Sequence, residues 1–224
     1  MRELLAIDAA GRGIGREVQQ LIARLSSGGV KINADDVRRI QAKRLWNLGF
    51  GNGHSSFTGY LTTIPEIHES LLGVDPESPM LSLADPRPGL VAICQMVGVD
   101  YDPAANGQAM PLSGKPRLED PTEPFWFRHD DGRPNRNRKP EDCIRNVKKG
   151  TIAGTALTGV IVFLHHPLIF SGEEFCIDLP GSESSVSSRD CASLRMNGET
   201  VTLEVDRCAA VGEENSGSLR VRRV

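Results

Sequence analysis

Aromatic residues are scarce in this chain: Phe, Trp and Tyr make up 5% of its 224 residues. That weakens any reading in which bases stack on a platform of rings. Long apolar runs are also missing. The longest, residues 159–164, stops at His165-His166, far short of the ~20 apolar residues a membrane helix needs. The apolar opening Leu4–Ile7 is cut by Asp8, too short for a secretory signal. The expectation is a cytoplasmic protein with no membrane partner. Charge of one sign does not dominate, since the formal net charge is −3. Composition therefore argues neither for nor against a polyanionic partner. The five cysteines, at 94, 143, 176, 191 and 208, form no C-x-x-C and no zinc-ribbon spacing. Scattered and odd in number, they fit reduced thiols better than a disulfide framework. H-E-x-x-H, G-x-S-x-G, S-x-x-K and the P-loop signature do not occur, and no internal repeat or low-complexity tract is visible. No cofactor is implied.

What is present is clearest between Cys191 and Asp206. Asn197-Gly198 suits a two-residue type I′ turn, because both central residues of that turn take positive φ. Folding there sets Leu194 opposite Val201 and Ala192 opposite Leu203, with Ser193, Arg195, Thr200 and Thr202 on the other face. A one-residue slip would destroy that alternation. Leu219 and Val221, alternating with Arg220 and Arg222, offer a third strand of the same kind. A lone hairpin is marginal in water, so other elements must cover its apolar face.

Earlier in the chain, Val18, Leu21, Ile22 and Leu25 recur at helical spacing over residues 14–25 and stop at Gly28-Gly29. Asn33 or Asp35 can cap a second helix burying Val37, Ile40 and Leu45, and a third short helix is expected from Pro65 to Gly73. Residues 74–88, with four prolines, read as a connector. Residues 89–99 read as a strand placing Val91, Ile93, Gln95 and Val97 on one face. Residues 102–124 read as a long loop, a length usually associated with function or mobility. Phe125 to His129 is a short strand, and Pro140 opens a helix ending near Gly150. Residues 155–165 fit either a helix capped by Thr155 or a buried strand; Pro167 favours the helix. Glu174 to Leu179 is a strand followed by a Pro180-Gly181 turn. The expected class is α+β: a helical region at 1–73, a proline-rich connector at 74–88, and an α+β domain at 89–224. That domain should be a mainly antiparallel sheet with one or two packed helices.

Residues that carry chemistry are dispersed. Gly11-Arg12-Gly13-Ile14-Gly15 has G-x-G-x-G spacing, not the G-x-G-x-x-G of a dinucleotide turn. Gly49, Gly51 and Gly53 lead into His54 without the lysine a phosphate loop requires. Basic residues cluster twice: eight Lys or Arg against three acids over residues 12–44, and eight against four over residues 128–149. Arg38, Arg39, Lys43 and Arg44 on the second helix, with Arg136 and Arg138 further on, would contact phosphates in a salt-dependent way. His129, Asp131, His165 and His166 are the available metal ligands. Adjacent helical residues point ~100° apart, so His165 and His166 should not share an ion. Cys94, Cys143 and Cys176 are nucleophiles only if a histidine approaches.

Trp126, Asp131-Gly132, Arg136-Asn137, Pro140, His166-Pro167 and Asp178-Leu179-Pro180-Gly181-Ser182 resemble a bacterial protein family to which no activity is assigned. The resemblance spans residues 89–224, implies a bacterial-type cytosolic protein and carries over no site. Three functions follow in order. The first is a non-enzymatic binding or interaction protein, with the 102–124 loop and the Trp126-Phe127 pair as contact surface and a protein as possible partner. The second is a nucleic-acid-binding protein using the basic helical region. The third is a metal-dependent hydrolase built on the histidines.

Overall fold

The structure, a computed structural model, describes residues 33–73, 75–101, 103, 118–145, 150–170, 175–184, 190–207 and 215–224. The expected helix at 14–25, the glycines at 11–15, Cys208 and most of the 102–124 loop lie outside those residues. The chain separates into two compact units, Met1–Val74 and Asp75–Val224.

In the first unit, α1 spans Ala34–Asn47. Asn33 caps it: its side chain accepts the Asp36 amide at 2.8 Å while the Asp36 carboxylate accepts the Asn33 amide, the reciprocal capping box that satisfies two otherwise orphaned donors. Leu45 is buried, whereas Val37 and Ile40 are only partly covered. A short helix, α2, spans Phe57–Leu61 and is capped by Ser56. The Gly49–Gly53 segment is the turn between them, with Trp46 packed against Tyr60. The helix expected from Pro65 is not formed; a single 3-10 turn, Glu69–Leu72, precedes Gly73. The Ile64 carbonyl, where that helix would begin, accepts the Arg38 guanidinium instead.

The second unit begins with a strand inside the expected connector, β1 at Met80–Ala84. Residues 90–97 are not a strand but a helix, α3, Leu90–Val97. Its buried residues Ile93, Cys94 and Val97 follow a helical period, and Leu90, Ala92, Gln95 and Met96 are strong helix formers. Then come β2 (Val99–Asp100), β3 (Phe125–His129), α4 (Pro140–Arg145), β4 (Ile152–Ala153) and α5 (Ala156–His165). The chain ends with β5 (Cys176–Glu183), β6 (Asp190–Asn197), β7 (Thr200–Arg207), β8 (Ser216–Ser218) and β9 (Arg220–Arg223). Among the described residues, two sheets form rather than one. The first has the order β1-β3-β9-β4, all antiparallel; the second has the order β2-β7-β6-β5-β8, with parallel pairs only at its two ends.

Helix α5 is the centre of this unit. Every residue from Ala156 to Leu164 is buried, as expected of a helix apolar all round. It packs on β1 of one sheet and on β5 and β6 of the other. Thr155 caps it through a second reciprocal box with Thr158. Gly159 lets it approach the sheet, since a Cβ there would lie 2.5 Å from the Leu179 side chain.

The hairpin keeps the expected faces: Ala192, Leu194, Val201 and Leu203 are between 0% and 4% exposed. Its register is shifted by two residues, with Leu194 opposite Leu203 and Asn197 opposite Thr200. The turn is centred on Gly198-Glu199. Of these two, only Gly198 has positive φ, at 62°, which is the type II′ pattern with glycine first. A shift of two preserves the faces, so side-chain alternation cannot detect it. Pro180-Gly181 does not turn the chain; it lies within β5, where the pairing to β6 is interrupted between Leu179 and Glu183. Leu219 and Val221 do not extend the hairpin either. β8 pairs with β5, and after Leu219 the same strand crosses to the other sheet as β9. At the crossing the Leu219 carbonyl accepts the Gly154 amide and the Leu219 amide donates to the Asp178 carbonyl. Among the described residues, no helix is long and apolar enough to cross a membrane.

Candidate functional site

After β3 the chain makes two tight Asx turns. The Asp130 carboxylate accepts the Gly132 amide at 3.0 Å, and Asp131 accepts the Arg133 amide at 3.1 Å. A 3-10 turn at Arg133–Asn135 follows, with Pro134 in its first positions. This loop is tied to the sheet-crossing strand. The Asp130 Oδ1 that binds Gly132 also accepts the Arg220 amide at 3.1 Å. The Asn135 side-chain amide donates to the Ser218 carbonyl at 2.7 Å and, more loosely, to Asp130 Oδ2 at 3.4 Å. Arg136 forms an isolated β-bridge to Gly217. The approach requires glycine on the loop side, because a Cβ at Gly132 would lie 2.8 Å from the Gly217 carbonyl oxygen.

Asp130 is 4% exposed and Asn135 is fully buried. Burial pushes the Asp130 carboxyl up to about 6, against the pull of the Arg220 and Gly132 amides and the Arg220 charge. Asn135 Oδ1 is buried with no hydrogen-bond partner among the described residues. Rotating the amide would point that oxygen at two acceptors, so with Asp130 ionised the observed orientation is the better one.

The loop carries arginines in fixed positions. The guanidiniums of Arg133 and Arg136 lie over the Phe175 ring, 4.7 and 4.9 Å from its centroid. Phe175 itself is fully buried. Arg133 is held further by Asp131 at 3.0 Å and by the Ile169 carbonyl at 3.1 Å. Arg138 is exposed and Arg220 partly so, and both place positive charge on the neighbourhood of Cys143. Even so, burial raises the Cys143 thiol, and it carries those of Cys94 and Cys176 up to about 12. All three are neutral thiols at physiological pH, poor nucleophiles.

The histidines assemble differently from the expected ligand set. Asp131 turns to Arg133, and His165 Nε2 faces the Leu83 carbonyl at 3.0 Å. His129 and His166 do meet, with ring centroids 5.0 Å apart. Between them stands Ser82, a residue that no motif marks. Its Oγ lies 2.9 Å from His129 Nε2 and 3.2 Å from His166 Nε2. His129 Nδ1 is 2.7 Å from the Asp130 carbonyl. Chemistry fixes the direction of this chain. Burial, then the charge of His166, lowers the His129 pKa to about 3, so the ring is neutral. Its proton must sit on Nδ1 to face a carbonyl, leaving Nε2 as acceptor. Ser82 therefore donates to His129, and His166 donates to Ser82. Among the described residues, no group of three His, Cys, Asp or Glu is placed to hold a metal ion.

The remaining expected residues are accounted for one by one. Trp126 and Phe127 are 2% and 0% exposed. They are interior residues of β3, so the proposed contact surface loses its aromatic anchor. In the first unit, Arg38 donates to the Leu61 and Ile64 carbonyls, each at 2.8 Å. Lys43 lies 4.6 Å over the Phe57 ring, and Arg44 is partly buried, which lowers its pKa. Arg39 is exposed. Phe175, Ser218 and Arg220 were not singled out for this site, and no local motif marks them; they join it through strand pairing alone.

Compared with known protein families, curated proteins and solved structures, the chain matches none. The site's geometry is thus the sole ground for a functional reading.

Proposed function

We propose that this chain is a non-enzymatic binding protein whose partner is nucleic acid, gripped through its phosphates by Arg136, Arg138 and Arg220, with Arg133 in support. The observation that carries this reading is the pair of guanidiniums fixed over Phe175 on a loop pinned by Asp130. A guanidinium held over a ring has lost much of its rotamer freedom before binding, and its N–H groups suit phosphate oxygens. Phe175 lies beneath the guanidiniums and is fully buried, so it offers no face for a base to stack on. The reading is therefore of phosphate contact with little base selectivity. Arg39 and Lys43 of the first unit are kept as a secondary surface within the same proposal.

The test is binding of an oligothymidylate and of a mixed-sequence duplex at low salt, followed by a salt titration. The logarithm of the affinity should fall linearly with log salt, with a slope set by the few phosphates contacted. Replacing Arg136 and Arg138 with Ala should flatten the slope. No measurable binding to either probe at low salt would overturn the proposal.

A further inference from the structure

We infer that Asp130 and Asn135 form a proton-operated toggle beneath the arginine surface, so that a phosphate taken up by those arginines is taken up together with one proton. This rests on the phosphate-binding reading above. The argument begins with unequal partners on one carboxylate. Oδ1 of Asp130 accepts two backbone amides, from Gly132 and Arg220. Among the described residues, Oδ2 has only the long contact from the Asn135 amide. An incoming proton is therefore directed to Oδ2, the oxygen with fewer donors. A buried acid also needs an acceptor for its proton. Asn135 Oδ1 is such an acceptor: fully buried, without a partner among the described residues, and on the same amide group that touches Oδ2. Rotation of that amide turns one pattern into the other. With the carboxylate ionised, the NH2 group serves Oδ2 and the Ser218 carbonyl. With it protonated, Oδ2–H donates to Asn135 Oδ1, while the Ser218 carbonyl gives up its donor and must draw back from the oxygen that replaces the nitrogen 2.7 Å away.

The surroundings set the sign of the coupling. The charged and titratable groups around Asp130 are Asp131 and Arg133 on its own loop, paired with each other, His129 on β3, and Arg220 on β9. Arg220 also acts on the Cys143 thiol, as do Arg138 and Asp178. His129 is neutral, so Arg220 is the cation that stabilises the ionised form. A phosphate bound at Arg220 engages that cation and brings its own negative charge beside the carboxylate. Both effects favour protonation of Asp130, and by linkage a protonated Asp130 favours the phosphate.

Two measurements test this. In the free, full-length protein, the Asp130 carboxyl carbon and the Asn135 side-chain amide are followed by NMR as pH is lowered. The expected result is one shared transition, near the value of about 6 that burial imposes. A carboxyl that titrates near the ordinary 3.8 while the Asn135 signals stay still would overturn the toggle, whether or not the protein binds an anion. In the second measurement, oligothymidylate is titrated calorimetrically near pH 6 in two buffers of different ionisation enthalpy. Up to about half a proton should be taken up per strand bound, since the free carboxyl is already about half protonated at that pH, and none by Asp130→Asn. Binding with the same proton uptake in Asp130→Asn would overturn the coupling while leaving the arginine surface intact. Absence of binding by the wild-type chain at low salt would instead sink the phosphate reading and the coupling with it, with the NMR experiment still deciding the toggle.

Discussion

Two basic regions, helix α1 and the loop at 130–138, look equivalent as strings of residues and differ in what their arginines do. On α1, Arg38 spends its guanidinium on two carbonyls of its own unit, at Leu61 and Ile64. It is a clamp that replaces absent helical hydrogen bonds. On the loop, Arg136 lies on Phe175 and Arg138 is exposed, while the work of holding the backbone is done by a carboxylate, Asp130. An arginine used as a structural donor and an arginine offered to a ligand contribute the same charge to any count. What each side chain touches distinguishes them: two backbone carbonyls for Arg38, the face of a ring for Arg136.

The largest expected effect that would sharpen this contrast is at Asp130. Asp130→Ala leaves the Gly132 and Arg220 amides and the Asn135 side chain without their acceptor. Buried donors left unpaired cost ~1–3 kcal/mol each, so a loss of about 3 kcal/mol is expected after allowing for removal of a desolvated charge. Urea unfolding measures it, and a loss below ~1 kcal/mol would mean that the carboxylate does not pin the loop. Arg38→Ala comes next, at roughly 2 kcal/mol, because two carbonyls lose a charged donor whose side chain is 14% exposed. It should leave nucleic-acid affinity unchanged. If Arg38→Ala instead weakened binding without weakening the fold, the assignment of the two regions would be reversed.

How much of this was legible in the chain follows from what is local. The cap at Asn33, the cap at Thr155 and the buried faces of the hairpin all rest on residues close in sequence, and each was readable. The hairpin's register was not, since a two-residue slip leaves every side chain on its face. Residues 89–99 misled because Val91, Ile93, Gln95 and Val97 alternate like a strand, while Ile93, Cys94 and Val97 also fit a helix. Strand β1 was hidden by the prolines on either side of it, which frame the strand without entering it. The site was the least legible. Asp130 meets Arg220, and Ser82 meets His129 and His166, only because β1, β3 and β9 pair across long stretches of chain.

His129 and Asp130, adjacent in sequence, should respond to pH in opposite directions. Folding holds His129 near 3 instead of 6.5. The unfolded chain therefore takes a proton that the folded chain refuses, and this contribution, full above 6.5, is lost as pH falls toward 3. Asp130 is raised from 3.8 to about 6. The folded chain keeps a proton the unfolded chain releases, so this contribution is present below 3.8 and lost as pH rises through about 6. Each slope approaches 1.4 kcal/mol per pH unit, about the free energy of one pKa unit. Between roughly pH 4 and 6 the two nearly cancel. Asp130→Asn removes one of them, and its stability should fall more steeply than wild type as pH is lowered from 6 to 4. Parallel stability–pH curves for the two proteins would show that the pair is not opposed.

The smallest effect on the fold is expected at Arg138. It is exposed, so Arg138→Ala should change stability by no more than ~0.5 kcal/mol, the usual range for a surface substitution. Its effect belongs to binding alone. Loss of one phosphate contact should reduce the magnitude of the log-affinity against log-salt slope by roughly 0.7 for a single strand or 0.9 for a duplex. The loss should be similar for different base sequences, because a phosphate contact carries no sequence information. Arg138→Lys keeps the charge and should restore most of the slope, whereas Arg136→Lys should restore less, since a lysine lacks the planar guanidinium that Arg136 holds over Phe175. Equal rescue by lysine at both positions would mean that the stacking contributes nothing beyond charge. The loop would then be no more specialised for anions than helix α1.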